Sequence, residues 1–453
     1  MNVHFIAIGG AVMHNMAIAL HLKGYTVSGS DDEIFEPAKS NLARHGLLPD
    51  ETGWLPEKIN SSLDAVILGM HARGDNPELL HAKELGLKIY SFPEYVFEQS
   101  KNKKRVVIGG SHGKTSITAM IMHVLHHYGL DFDYLVGSQL KGFETMVRIT
   151  EAAPVMVVEG DEYLTSPLDL RPKFHLYHPH TALLSGIAWD HINVFPTFDN
   201  YLDQFRIFIN LIEAGGKLIY CKEDEHLCKL VKEIRNDITL LPYGMPVHSI
   251  ENGITTVVSE GNNYTLEIFG NHNLMNLEGA RLICNDLGIS DHNYFAAIST
   301  FSGAAKRLEL IAKNETCNVY KDFAHSPSKL KATVEAVKSQ FPNRILVGCM
   351  ELHTFSSLNK EFLSQYYGAM DACDIAIVYF NKHTIEHKKL PPVSEQEVTD
   401  AFGKAGMIVL TDSAALVQKL KSMSYPDTNL LMMSSGNFDG INLVELSQYL
   451  LKA

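Results

Sequence analysis

Residues 105–116 read RVVIGGSHGKTS. An apolar, β-branched run ends in Gly109-Gly110. After Lys114, the hydroxyls Thr115 and Ser116 open a helical stretch, Thr115 to Tyr128, with apolar residues at helical spacing. A strand, a glycine turn and a helix in that order aim backbone N–H groups at an anion, and the helix start adds partial positive charge. Lysine supplies a full charge for terminal phosphates, and the hydroxyl after it can ligate Mg²⁺. The common spacing GxxxxGK[ST] is not met, because Ile108 stands where the first glycine belongs. The loop is a shortened form, Gly110-Ser111-His112-Gly113-Lys114-Thr115. A bare GK[ST] is weak. The strand before it and the helix after it make a nucleotide-phosphate loop the better reading than a tight turn with a solvated lysine.

The same alternation extends in both directions. Residues 2–8 (NVHFIAI), 66–69 (VILG) and 88–92 (KIYSF) read as short buried strands before the loop. VMVVEG (155–160), TALLSGI (181–187) and GGKLIYC (215–221) follow it, and residues 247–269 carry short alternating segments that predict an antiparallel patch. Four more strands fall at 344–350, 375–380, 407–411 and 429–436, after CNVYKDFAH at 317–325. Strands alternating with helical stretches predict α/β architecture with mostly parallel sheets. Three domains are expected: a Rossmann-like one over 1–100, a central one built around the phosphate loop over 101–310 and a Rossmann-like one over 311–453.

Composition narrows the function. The chain has 453 residues, 45% of them hydrophobic and 20% charged, as a folded globular protein does. Its formal charge is -13, and no basic stripe appears, which argues against nucleic acid as partner. KNKKR (101–105) is the densest basic cluster and reads as a solvated linker. Six cysteines are scattered without a CxxC pair, which suits core thiols and a reducing, cytoplasmic setting. No apolar run reaches about 18 residues, so no membrane span is expected. The apolar N-terminus lacks a basic leader and is broken by Gly9-Gly10 and His14, unlike a signal peptide.

The sequence of the loop, G-S-H-G-K-T, resembles the ATP loop of the Mur ligase family, and further motifs follow in the family's order. Glu159-Gly160-Asp161-Glu162-Tyr163 is similar to E-A-D-E-[SY], whose first glutamate binds Mg²⁺. Trp189-Asp190-His191 resembles the D-H step whose histidine ligates a second metal ion. Asn271 to Asn276 (NHNLMN) is similar to the H-N-x-x-N segment beside adenine; helix capping by asparagine is an equally physical use of it. Lys306-Arg307-Leu308-Glu309 resembles the basic segment that closes the central domain, and Asp322-Phe323-Ala324-His325-Ser326-Pro327 resembles the D-[YF]-[AG]-H-x-P motif that opens the third.

The resemblance implies roles. Lys114, Glu159 and His191 would be catalytic, with Thr115, Glu159 and His191 as ligands of Mg²⁺ or Mn²⁺. ATP would be held by Gly110, Ser111, His112, Gly113, Lys114, Thr115 and Ser116, with His272, Asn273, Asn276, Arg307, Asp322 and His325. UDP-sugar contacts would fall at Gly9, Gly10, Asp31, His71, Arg73 and Asn76. The amine substrate would lie near His353, Ser356, Ser434 and Asn437.

Within the family, three segments favour the peptide-adding branch over the alanine-adding one. They are Lys173 to Pro179 (KFHLYHP), Met433 to Ile441 (MSSGNFDGI) and Arg73-Gly74-Asp75-Asn76-Pro77. Other positions depart from the family. Val12 and Asn15 replace glycines of the N-terminal loop, Gly186 and Ala188 replace the Asn and Glu of N-x-E-x-D-H, Arg206 stands where a carbamoylated lysine is often found, and Lys321 replaces an acidic residue. Core packing competes with UDP binding as the use of the N-terminal loop.

The implied activity is ATP-dependent amide formation between the carboxylate of UDP-N-acetylmuramate and an amine, by way of an acyl phosphate, with domain closure excluding water. The amine would be L-alanyl-γ-D-glutamyl-meso-diaminopimelate, in peptidoglycan recycling. L-alanine, in peptidoglycan synthesis, is the alternative. From other classes, a nicotinamide dehydrogenase would require an intact GxGxxG, which is absent, and a non-catalytic nucleotide-sugar sensor would fit the departures at Val12, Asn15, Gly186 and Ala188. Oligomeric state is not legible.

Overall fold

The computed structural model describes residues 1–189, 194–303 and 307–452. The chain forms two compact units: 1–244 with 275–297, and 245–274 with 298–453.

The first unit holds two sheets. Strands β1 (Asn2–Ile6), β2 (Thr26–Ser30), β3 (Ala65–Leu68) and β4 (Ile89–Ser91) form a parallel sheet in the order β2-β1-β3-β4. The strand expected to reach residue 92 stops at Ser91, because Ser91 and Glu94 make a reciprocal capping box that starts a helix at Phe92. The larger sheet contains β5 (Lys104–Gly109), β6 (Asp133–Leu135), β7 (Val147–Arg148), β8 (Val155–Glu159), β9 (Thr181–Leu184), β10 (Lys217–Cys221) and β11 (Thr239–Tyr243). Its order is β11-β10-β9-β5-β8-β6-β7, parallel except at β7. Strand β5 lies at the centre. The chain leaves it toward β6 on one side and later crosses to β9 on the other. Ligands gather at the carboxyl ends of strands at such a crossing. Val106, Val107 and Ile108 are fully buried, as an apolar run covered on both faces should be.

The cluster at 101–105 is not a solvated linker. Lys103 Nζ bonds Asp133 Oδ2 at 2.6 Å and the Thr150 carbonyl at 2.8 Å. Arg105 donates to the carbonyls of Tyr177, His178 and Ser100 and to Glu213. These cations are buried because acceptors distant in sequence meet them, which a local charge count does not see.

The second unit carries β12 (His248–Glu251), β13 (Ile254–Ser259) and β14 (Asn262–Leu266), the expected antiparallel patch. Its main sheet comprises β15 (Glu309–Lys313), β16 (Cys317–Asp322), β17 (Ile345–Glu351), β18 (Ile375–Tyr379), β19 (Ile408–Leu410) and β20 (Thr428–Met433), ordered β15-β16-β20-β17-β18-β19. Side chains alternate between two cores. Leu346, Met350, Leu431 and Met433 enter one, and Val347, Cys349, Leu430 and Met432 the other. No cysteine is paired, and five of the six are buried. Among the described residues, no helix is long and apolar enough to cross a membrane.

Candidate active site

The first unit places the phosphate loop at the carboxyl end of β5. Gly110 (φ 120°) and Gly113 (φ 80°) both take left-handed backbone. A Cβ on Gly110 would lie 2.2 Å from Ser185 Oγ, and one on Gly113 would lie 2.3 Å from Asn276 Oδ1. Glycine is therefore required twice, by conformation and by close approach. The helix that follows runs from Lys114 to His127. It opens on the lysine, one residue earlier than its hydroxyls suggest, because Gly113 serves as its N-cap.

Three acidic residues, Glu159 at the end of β8 and Asp161 and Glu162 just past it, take different partners. Glu159 Oε1 accepts the Thr115 hydroxyl at 2.8 Å, and its Oε2 accepts the Gly137 N–H at 2.7 Å. Asp161 pairs with Lys173 at 2.5 Å. Glu162 pairs with Lys114 at 2.5 Å, and Lys114 also donates to the Gly110 carbonyl at 2.7 Å. Burial pushes the Glu159 carboxyl above its ordinary range, against the Gly137 N–H, the Thr115 hydroxyl and the Lys114 charge. For Lys114, burial pulls downward, but the charges of Glu162, Asp161 and Glu159 outweigh it and hold the ammonium above its usual value.

Ser111 is buried and tied in place: its Oγ accepts the Ala188 N–H at 2.9 Å and lies 2.9 Å from the Tyr201 hydroxyl. Ser116 is buried beside Thr115, and the His112 ring nitrogen bonds the Ser111 carbonyl. β9 ends at Leu184, so Ser185 to Ala188 form loop rather than strand. Asp224 Oδ2 accepts the Ile187 N–H at 2.8 Å there, beside Gly186. His191 and Lys306 lie outside the described residues.

These residues fit ATP and Mg²⁺. A hydroxyl and a carboxylate meet at the mouth of a glycine cradle, and both are hard oxygen donors. Mg²⁺ takes one or two carboxylates plus substrate phosphates rather than an all-protein cage. Among the described residues, no group of three or more His, Cys, Asp or Glu could hold a metal ion by itself.

The N-terminal candidates divide. Gly9 N–H donates to Asp31 Oδ2 at 2.7 Å, and burial pushes the Asp31 carboxyl upward, with Asp32 beside it. Gly10 is the N-cap of the helix Ala11–Leu22. Asn76 Oδ1 accepts from Glu78 and Leu79 N–H, so that oxygen caps the helix Pro77–Glu84. His71 and Arg73 are exposed, with Arg73 3.4 Å from Asp75.

The second unit brings five candidates into one neighbourhood. Burial, and then Arg307, lowers the His272 imidazole to about 4. Arg307 stacks over the Phe323 ring, which meets the His325 ring edge-on. Asp322 accepts from Leu308 N–H at 2.7 Å and Ala324 N–H at 2.6 Å, and burial raises its carboxyl. Asn273 Nδ2 donates to the Phe269 carbonyl at 2.9 Å. Elsewhere, Glu351 at the end of β17 accepts Ser434 Oγ and the Phe438 N–H and lies 3.7 Å from His353. Ser434 and Asn437 line a cleft of about 250 Å³ that also holds Lys321 and Asp322. Ser356 stands apart, exposed on a short 3₁₀ turn.

Family models match in the order of the chain: the Mur ligase family catalytic domain over residues 2–104, the Mur ligase middle domain over 108–284 and the Mur ligase glutamate ligase domain over 306–436. The chain belongs to the Mur ligase family. Members of this family are ATP-dependent ligases of peptidoglycan synthesis. A UDP-N-acetylmuramate–L-alanine ligase of Caldanaerobacter subterraneus subsp. tengcongensis is 28% identical over 457 residues, spanning 96% of this chain and 95% of that one. The ligase of the same name from Desulforamulus reducens is 30% identical over 384 residues, spanning 80% and 79%. A murein peptide ligase of Psychrobacter arcticus shares the fold, with TM-score 0.66 and 23% identity over 100% of this chain and 99% of that one. The three-domain α/β Mur ligase fold expected from the sequence is the fold observed.

Sequence reasoning missed Glu162 as the partner of Lys114, together with Gly137, Tyr201 and Asp224. The acidic spacing E-x-D-E was the one available signal, and only its first glutamate was assigned a role.

Proposed function

We propose that this Mur ligase joins UDP-N-acetylmuramate to L-alanine, with ADP and phosphate as the other products. The observation that carries an ATP-driven reaction is the convergence of Lys114, Thr115 and Glu159 on one cradle. L-alanine as the amine is supported by the full-length likeness to alanine ligases. This reverses the preference drawn from sequence motifs. The peptide-adding reading keeps the support of Lys173 to Pro179 and Met433 to Ile441 and stands as the second.

In the proposed reaction, an oxygen of the lactyl carboxylate attacks the γ-phosphorus of ATP. The bond to the β,γ-bridging oxygen breaks, and ADP leaves. The amine then attacks the carbonyl carbon of the acyl phosphate, and the tetrahedral intermediate expels phosphate. Lys114 would offset charge on the transferring group, and the loop N–H groups would orient it. Mg²⁺ supplies further neutralisation of phosphate charge when bound, with Thr115 and Glu159 as its protein ligands. Asn276, beside Gly113, would position the nucleotide.

The test is ADP release with UDP-N-acetylmuramate and ATP, comparing L-alanine with the tripeptide, with mass spectrometry of the product. Turnover with L-alanine alone supports the proposal. Turnover with the tripeptide alone replaces it with the second reading, and none with either amine defeats both.

A further inference from the structure

Glu162 lies three residues beyond Glu159, past the end of β8, and its side chain is only 1% exposed. Its Oε2 takes the Lys114 ammonium, while its Oε1 lies 3.4 Å from the Tyr201 hydroxyl. That hydroxyl meets Ser111 Oγ, which in turn holds the Ala188 N–H. The carboxylate is thus braced from the phosphate loop itself and from the helix Phe198–Asn210. Neither neighbouring acid duplicates it, since Glu159 faces Thr115 and Asp161 faces Lys173.

We infer that Glu162 is a positioning residue for phosphoryl transfer, a fixed counter-ion that orients the phosphate-loop lysine and holds down its affinity for nucleotide. The inference rests on the reading that this loop binds ATP. Lysine is a point charge on a flexible four-carbon stem, so its direction must be imposed from outside. Glu162 and the Gly110 carbonyl impose it by accepting two of its three donors. A terminal phosphate must then share the ammonium with a buried carboxylate. The carboxylate weakens attraction for ADP and ATP alike, which is uniform binding, whereas the orientation it gives acts in the transition state.

Loss of the charge therefore moves two quantities in opposite senses. In Glu162→Gln, ADP and ATP should bind about ten-fold tighter and kcat should fall about ten-fold or more, the scale of one partly buried charge contact. A merely structural role would weaken both. Titration calorimetry with ADP and with ATP, and steady-state ADP release, should be run on wild type, Glu162→Gln, Lys114→Met and the double variant. In the Lys114→Met background, Glu162→Gln should leave nucleotide affinity unchanged. Glu162→Asp keeps the charge on a shorter stem, so it should lower kcat while leaving ADP affinity within about two-fold. Unchanged or weaker ADP binding by a folded Glu162→Gln protein overturns the inference. So does equal tightening without Lys114, or tightening by Glu162→Asp if Glu162→Gln does not fold. Wild type that binds neither nucleotide overturns the ATP reading as well; wild type that binds while the variants do not shift overturns the inference alone.

Discussion

The Thr115 hydroxyl donates to Glu159 Oε1 across 2.8 Å, joining the first turn of one helix to the carboxyl end of the strand beside it. Both oxygens belong to the proposed Mg²⁺ site. Glu159→Gln keeps the shape and removes the charge. Its kcat should fall about a hundred-fold or more, as when one electrostatic stabiliser is deleted. Thr115→Ala should do less, and added Mg²⁺ should partly restore it. A magnesium titration of initial rates checks both, and an unaltered rate in Glu159→Gln would remove that residue from the site.

Gly113 is constrained both by its backbone and by Asn276. Alanine there meets Asn276 Oδ1 at 2.3 Å and must hold φ at 80°. Gly113→Ala should lose nucleotide binding and about 1–2 kcal/mol of stability from the left-handed backbone alone. Adding Asn276→Ala relieves the clash but not the backbone strain. Melting temperatures of the single and double variants therefore separate the two costs.

Lys103 and Asp133 form a pair with side-chain exposures of 7% and 0%. Lys103→Met leaves the buried Asp133 carboxylate with Arg148, 3.7 Å away, as its remaining cation and should cost about 3 kcal/mol in denaturant unfolding. Replacing both partners with apolar residues should cost much less. If the single substitution is silent, the pair is not holding the strand that leads to the phosphate loop.

His272 titrates at about 4 in the folded chain because burial, and then Arg307, disfavours its charged form. The unfolded imidazole has its ordinary value near 6.5 and so binds the proton more readily. Stability from this residue is full above about 6.5 and is lost as pH falls toward 4. His272→Gln should flatten that part of the melting temperature profile. A slope as steep as wild type between those values would assign it to other groups.

The phosphate loop and Glu159 were legible because each is a local event. A strand runs out, a glycine turns the chain, and the groups that matter lie within a few residues of that turn. Strand alternation was legible for the same reason, since period 2 along β17 and β20 is written residue by residue. The pairing of Lys114 with Glu162 spans 48 residues, and that of Ser111 with Tyr201 spans 90. No local pattern encodes such separations. KNKKR misled because its partners Asp133 and Glu213 arrive from elsewhere in the chain. Sequence alone determined that the family's chemical groups are present and in order. Folding decided which carboxylate faces the lysine and which faces the hydroxyl, because the ends of β5 and β8 meet side by side only once the sheet has closed.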